Sequence, residues 1–169
     1  MPHLQFDLNF APPGDEQARF AGAVIRHFAD VMDTGTDHVG VILRAHPRES
    51  LAFGRAAEGD GRIVFLNADI RLGRTAEQKR RLALAIMGEV ERAFGVPQRS
   101  VYVVYSEHDG EHFQLSDRVL PSWTPGEDPL ADASARARSK PIARRPARQA
   151  SRGRGKKAPA KRTGRPRAR

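Results

Sequence analysis

The sequence predicts a mixed α/β domain: two βαβ units forming a four-stranded sheet, with both helices on one face. Three observations predict it. Two stretches carry apolar residues at helical spacing, short β-prone runs flank each of them, and the two halves repeat at an offset of 61 to 62 residues. Glu16-Gln17 recurs as Glu77-Gln78, Val39 as Val101 and His46 as His108. Each half reads strand–helix–strand, which implies a right-handed crossover.

In chain order, a first strand is expected from about His3 to Asn9. Pro12-Pro13-Gly14-Asp15 breaks it and starts a helix whose apolar face is Phe20, Val24, Phe28 and Val31. That helix should stop near Gly35, before a strand from Val39 to Ala45. In the second half a strand is expected over Arg62 to Ile70. Thr75-Ala76-Glu77-Gln78 has the form of a capping box, with Thr at N-cap and Gln at N3. Leu82, Ile86, Val90 and Phe94 make the second apolar stripe, Gly95 ends the helix and Pro97 prevents its continuation. Val101 to Ser106 is the last long strand. With two helices on one face, the other face of the sheet is bare, and a domain this small is expected to cover it by oligomerising.

Composition divides the chain of 169 residues in two. Residues 1–130 hold 14 Lys and Arg against 19 Asp and Glu, whereas residues 131–169 hold 15 Lys and Arg and a single acid, Asp132. We therefore expect a mildly acidic domain over residues 1–120, a Pro-rich linker over 121–130 and a disordered basic tail over 131–169. The tail has one large apolar residue, Ile142, too little to offset the entropy of ordering the backbone. Its charge suits DNA, RNA or another polyanion bound non-specifically through counterion release. It has no aromatic residue on which bases could stack. Cysteine is absent, which excludes disulfides, thiolate chemistry and Cys-based zinc sites. No apolar run approaches a membrane span and the start lacks a signal-peptide pattern, so a cytoplasmic protein without membrane contact is expected.

Candidate chemistry begins at Pro2. Once Met1 is removed its nitrogen is a secondary amine at the start of the first strand. Burial and nearby cations would lower its pKa toward neutrality and make it a general base. The cations would be Arg71 and Arg74, in the segment joining the third strand to its helix, where a guanidinium can hold a carboxylate and stabilise a developing enolate. His108 and His112 flank a turn signal rather than lying on a helix, so no metal site is expected. Gly54, Gly59 and Gly61 do not join a strand to a helix as a phosphate loop does, and no cofactor is expected.

Taken together, these residues resemble the tautomerase superfamily over about residues 2–115. Leu72-Gly73-Arg74-Thr75-Ala76-Glu77-Gln78-Lys79 looks like the helix start of the short 4-oxalocrotonate tautomerases. The length is that of the long, fused members. Met1-Pro2-His3 resembles the start of 5-carboxymethyl-2-hydroxymuconate isomerase, and Ala52-Phe53-Gly54 and Val101 to Tyr105 resemble segments of macrophage migration inhibitory factor. The spacing of Arg71 and Arg74 is similar to the carboxylate-binding pair of cis-3-chloroacrylic acid dehalogenase. The resemblance implies an enol–keto tautomerase or isomerase acting on a carboxylate-bearing 2-oxo acid. It also implies a homotrimer whose sites take residues from a neighbour, with Tyr102 matching an active-site tyrosine. Val104 stands where the dehalogenase pattern has a tyrosine, and His27 is out of register with its histidine. Glu107 and Glu111 are candidates for its acidic residue. A hydratase or dehalogenase of an unsaturated acid is the alternative chemistry. A polyanion-binding protein on a vestigial fold is the alternative class.

Overall fold

The computed structural model describes residues 2–54, 61–116 and 118–127. Residues 128–130 of the expected linker and the whole basic tail, 131–169, lie outside the described residues, as does Met1. The elements are β1 (His3–Leu8), α1 (Gly14–Met32), β2 (Gly40–Ala45), β3 (Val64–Arg71), α2 (Ala76–Phe94) and β4 (Val101–His108). They form one four-stranded sheet in the order β2-β1-β3-β4. β1 is parallel to β2, β3 is parallel to β4, and the two halves meet in an antiparallel β1–β3 pair.

Alternation within the strands decides which face is covered. Leu4, Phe6 and Leu8 of β1 and Val64, Leu66, Ala68 and Ile70 of β3 are fully buried, and they share one core with residues of both helices. Both helices therefore lie on one face, as expected. Phe20 of α1 packs edge-on against Phe6 at 5.0 Å between centroids and lies 4.7 Å from Phe94 of α2. Each such buried ring contributes about 1.5–3 kcal/mol of apolar transfer free energy. The expected stripe of α2 is buried as read. In α1 Met32 replaces Val31 as the last buried member, continuing the four-residue step from Phe28. That helix also ends earlier than the expected Gly35, because Asp33 adopts the left-handed conformation (φ 49°) and its N–H caps Ala29 O.

The capping box of α2 is formed: the Thr75 hydroxyl accepts Gln78 N at 3.1 Å, and Gln78 Oε1 accepts Thr75 N at 2.9 Å. β1 ends at Leu8 rather than Asn9. The Asn9 side chain instead accepts from Ile63 N and donates to Gly61 O, both at 2.9 Å. The Gln5–Asn67 register pair, related by the sequence repeat, marks a pseudo-twofold axis through the centre of the sheet.

The region read as the start of a linker is part of the domain. Leu120 is buried and its N–H bonds Phe113 O at 3.1 Å, and Glu127 is buried in a bridge to Thr34 beyond α1. Residues 120–127 thus form a strap across one end of the sheet. Prolines at 121 and 125 suggested a loose segment, but this backbone follows the surface of the domain and has side chains that dock. Gly110 permits the approach: a Cβ there would stand 2.2 Å from Pro121 O.

Candidate active site

The β1–β3 register places the candidate residues. His3 pairs with Asp69, so Pro2, one residue earlier, lies level with the end of β3, which terminates at Arg71. Pro2 is buried, and its carbonyl accepts Gly40 N at 2.9 Å, tying the chain start to β2. After β3 the chain turns through Gly73, whose φ of +112° suits only glycine, and reaches Arg74 just before the Thr75 cap. Pro2, Arg71 and Arg74 thus lie at the same end of the sheet, the end that the strap crosses.

Both guanidinium groups are buried, Arg71 at 2 % and Arg74 at 5 % exposure. Their partners differ. Arg71 Nη1 donates to Pro121 O at 2.8 Å and to Glu127 Oε2 at 3.2 Å, while Nη2 donates to Glu127 Oε1. Its end-on fork is therefore filled by a carboxylate of the strap. Arg74 donates from Nη1 to Arg71 O at 2.9 Å and has the Trp123 ring stacked 4.7 Å from its guanidinium carbon. Its Nε and Nη2 are buried with no hydrogen-bond partner among the described residues, and so is Trp123 Nε1. Burial, with the like charge of Arg71 adding to it and Glu107 opposing, pulls the Arg74 pKa down to about 9. It stays protonated at neutral pH. Arg74 thus holds a buried charge with two donors on one edge that no described residue accepts.

The internal repeat sharpens this. The positions pseudo-equivalent to Pro2 and Arg71 are Val64 and Asn9, at the opposite end of β1 and β3. The repeat therefore does not reproduce Pro2 or Arg71 at the other sheet end. What the two ends share is an Asp–His pair on the sheet face away from the helices. Asp7 bonds His46 at 2.6 Å, and Asp69 bonds His108 at 3.1 Å and also His3 at 3.3 Å. Burial raises the pKa of the Asp69 carboxyl, but the hydrogen bonds and charges of His108 and His3 outweigh it and hold the group below 3.8. At Asp7 burial is likewise outweighed, there by Gln5, His46 and Arg44.

A carboxylate whose folded pKa is depressed contributes stability above its unfolded pKa and loses it as pH falls through the folded value. Asp7→Asn and Asp69→Asn are each expected to make the loss of stability below about pH 4 shallower. Urea midpoints measured from pH 6 down to pH 2 check this. An unchanged acid limb in both variants would show that the pairs are not linked to folding.

Of the other residues read from the sequence, Glu107 and His108 lie at the same sheet end, opposite Ile70 and Arg71, whereas Tyr102 and Val104 lie further along β4. Tyr102 pairs with Phe65 at the far end of β3, roughly 16 Å along the sheet from the level of Pro2. It is half exposed on the open face, beside Phe53 and Phe65. Val104 is exposed on the same face. Glu107 is engaged by Lys79 at 2.7 Å, and His27 lies 3.6 Å from Glu89 on the helix side. His108 and His112 are 6.1 Å apart between ring centroids, and among the described residues no group of three or more potential ligands is placed to hold a metal ion. No helix among them is long and apolar enough to cross a membrane. Sequence reasoning missed Trp123 and Glu127. The available signal was the chain's single tryptophan, a large apolar side chain in a segment otherwise composed like a linker.

The fold and this site define a small α/β protein with a proline and two arginines at one end of a duplicated βαβ sheet. Residues 65–121 match the family model described as Tautomerase enzyme, which supports membership of the tautomerase superfamily. The fold is shared with a member of the cis-3-chloroacrylic acid dehalogenase family (TM-score 0.62, 23% identity, covering 78% of this chain and 89% of that one). It is shared also with a malonate semialdehyde decarboxylase inhibited by 3-bromopropiolate (TM-score 0.60, 21% identity, 68% and 88%). A third such structure is a fused 4-OT described as an asymmetric trimer (TM-score 0.60, 16% identity, 69% and 94%). No curated protein matches the sequence.

Proposed function

We propose that the protein is an enol–keto tautomerase of a carboxylate-bearing 2-oxo acid, with Pro2 as the base. The observation that carries this reading is the idle, buried edge of Arg74 at the sheet end where Pro2 precedes β1. A substrate carboxylate on that edge would satisfy both donors and set the carbon beside the carbonyl near the proline nitrogen. The free amine removes a proton from that carbon, the enolate charge is stabilised by the adjacent guanidinium groups, and the protonated amine returns the proton at the other site. Arg71, already bound to Glu127, contributes field and orientation. Tyr102 reaches such a site only from another subunit, which fits a homotrimer like the fused 4-OT assembly. Exposed Ile42, Tyr102 and Val104 on the open sheet face support assembly.

The direct test is covalent. 3-Bromopropiolate is an electrophilic monocarboxylate; attack by a neutral amine forms an N–C bond and ultimately releases bromide. The adduct is expected on the N-terminal peptide and is expected to form slowly in Arg74→Ala. Labelling elsewhere, with Pro2 untouched, would overturn the assignment.

The basic tail supports a separate, non-catalytic proposal: polyanion binding by residues 131–169. Affinity for duplex DNA should fall steeply between about 50 and 200 mM salt and vanish on deletion of those residues, while turnover persists. Salt-independent binding, or binding that survives the deletion, would reject it.

A further inference from the structure

We propose that Glu127 is the resident counter-ion of Arg71 and makes the site selective for acids bearing one carboxylate, held on the buried, unbonded edge of Arg74 beside the Trp123 indole. The inference rests on the reading of Arg74 as substrate receptor and adds to it the class of acid accepted.

Two guanidinium groups three residues apart would ordinarily suit a substrate with two anionic ends. Here the ends are not equivalent. Arg71 is occupied through both Nη atoms by Glu127, and Nη1 is shared with Pro121 O. The strap that delivers this carboxylate is pinned on both sides, at Leu120 by its bond to Phe113 O and at Glu127 by the bridge to Thr34. A second substrate carboxylate approaching Arg71 would find its fork filled and would face the charge of Glu127 at low dielectric.

Arg74 offers the complementary situation. Nε and Nη2 share one edge of the guanidinium plane, the geometry that receives a carboxylate with two parallel hydrogen bonds. Both are buried without a partner among the described residues. Trp123 covers the guanidinium face, and its own N–H is buried and idle, so it is a third donor available to a bound anion. Gly73 keeps this arrangement possible, since a Cβ there would stand 3.2 Å from Trp123 Cε3. One carboxylate therefore has three donors in wait, while the fork that a second would need on Arg71 is taken by Glu127.

Crotonate and fumarate test this, because they share a trans four-carbon frame and differ by a methyl against a second carboxylate. Trp123, the only tryptophan, reports binding by its fluorescence in the full-length protein. Wild type is expected to bind crotonate roughly tenfold or more tightly than fumarate. Glu127→Gln frees Arg71, and fumarate binding should then strengthen by roughly tenfold or more, with crotonate little changed. The double variant Arg71→Gln, Glu127→Gln removes both charges. It should fold even if the single variant does not, and it should keep the preference for crotonate. Turnover should follow the same order, favouring phenylenolpyruvate over 2-hydroxymuconate in wild type. Fumarate binding to wild type as tightly as crotonate would overturn the proposal, as would a Glu127→Gln protein with unchanged selectivity. Crotonate binding that survives Arg74→Ala would instead remove the underlying reading of Arg74, whatever the selectivity.

Discussion

Protein that retains Met1 is expected to be inactive in proton transfer, with kcat lowered by about 10²–10⁴-fold relative to the processed chain. Retention turns the Pro2 nitrogen into a tertiary amide, whose lone pair is delocalised into the carbonyl and has no useful basicity. Asp69, at the same sheet end, is a weaker base because two histidines hold it below its ordinary pKa, and Arg74 is protonated at neutral pH. Intact-mass measurement of preparations with and without N-terminal processing, paired with turnover of phenylenolpyruvate, checks the expectation. Full activity in a uniformly Met1-bearing sample would end the proline-base assignment. Pro2→Ala is a milder test, because alanine keeps a primary amine. It should retain a residue of turnover while leaving the fold and the β1–β2 contact at Pro2 O intact, since that contact uses only backbone.

The second large effect is at Arg74, where activity and stability should move in opposite directions. Arg74→Met removes the two idle donors, each worth about 1.5–3 kcal/mol to a bound carboxylate. The expected fall in kcat/KM is roughly 10- to 150-fold for each hydrogen bond lost. The free protein should nevertheless become more stable. Arg74 is 5 % exposed, beside the like charge of Arg71, and bonded from only one of its three nitrogens. Methionine replaces its stem with an apolar side chain under Trp123 and removes a buried charge, a change worth on the order of 1–4 kcal/mol in other buried charge sites. The sign of the linkage agrees: a cation whose folded pKa is depressed costs stability at every pH below that value, here about 9, and the cost is relieved only above it. Chemical denaturation and steady-state kinetics on the same variant decide the matter. A variant that loses stability along with activity would mean that Arg74 is a structural residue.

Much of the fold was legible because it rests on local rules. The stripes of α1 and α2, the Thr75–Gln78 box and the Gly95 stop each depend on residues within one or two turns of one another. The repeat was visible as paired residues, and the structure turns two of these into chemistry: His46 and His108 each meet an aspartate related by the same offset. Element ends were less legible. Asn9 looked like strand, yet its side chain is used across the chain on Gly61 and Ile63, a contact that no local pattern contains.

By itself the sequence determined that this chain holds two βαβ units, that Pro2 immediately precedes the first strand, that Arg71 and Arg74 lie between the third strand and its helix, and that the net positive charge is confined to residues 131–169. These follow from periodicity, capping and composition, which act over short distances. Tertiary structure alone decided how the two arginines differ. Residues 120–127 carry the prolines and glycine of a linker, and only their docking shows that Glu127 fills one guanidinium while Trp123 covers the other, whose edge is buried without a bond to any described residue. A salt bridge between residues 56 apart in sequence is set by where the strap lands, and landing is a property of packed surfaces rather than of local residue patterns.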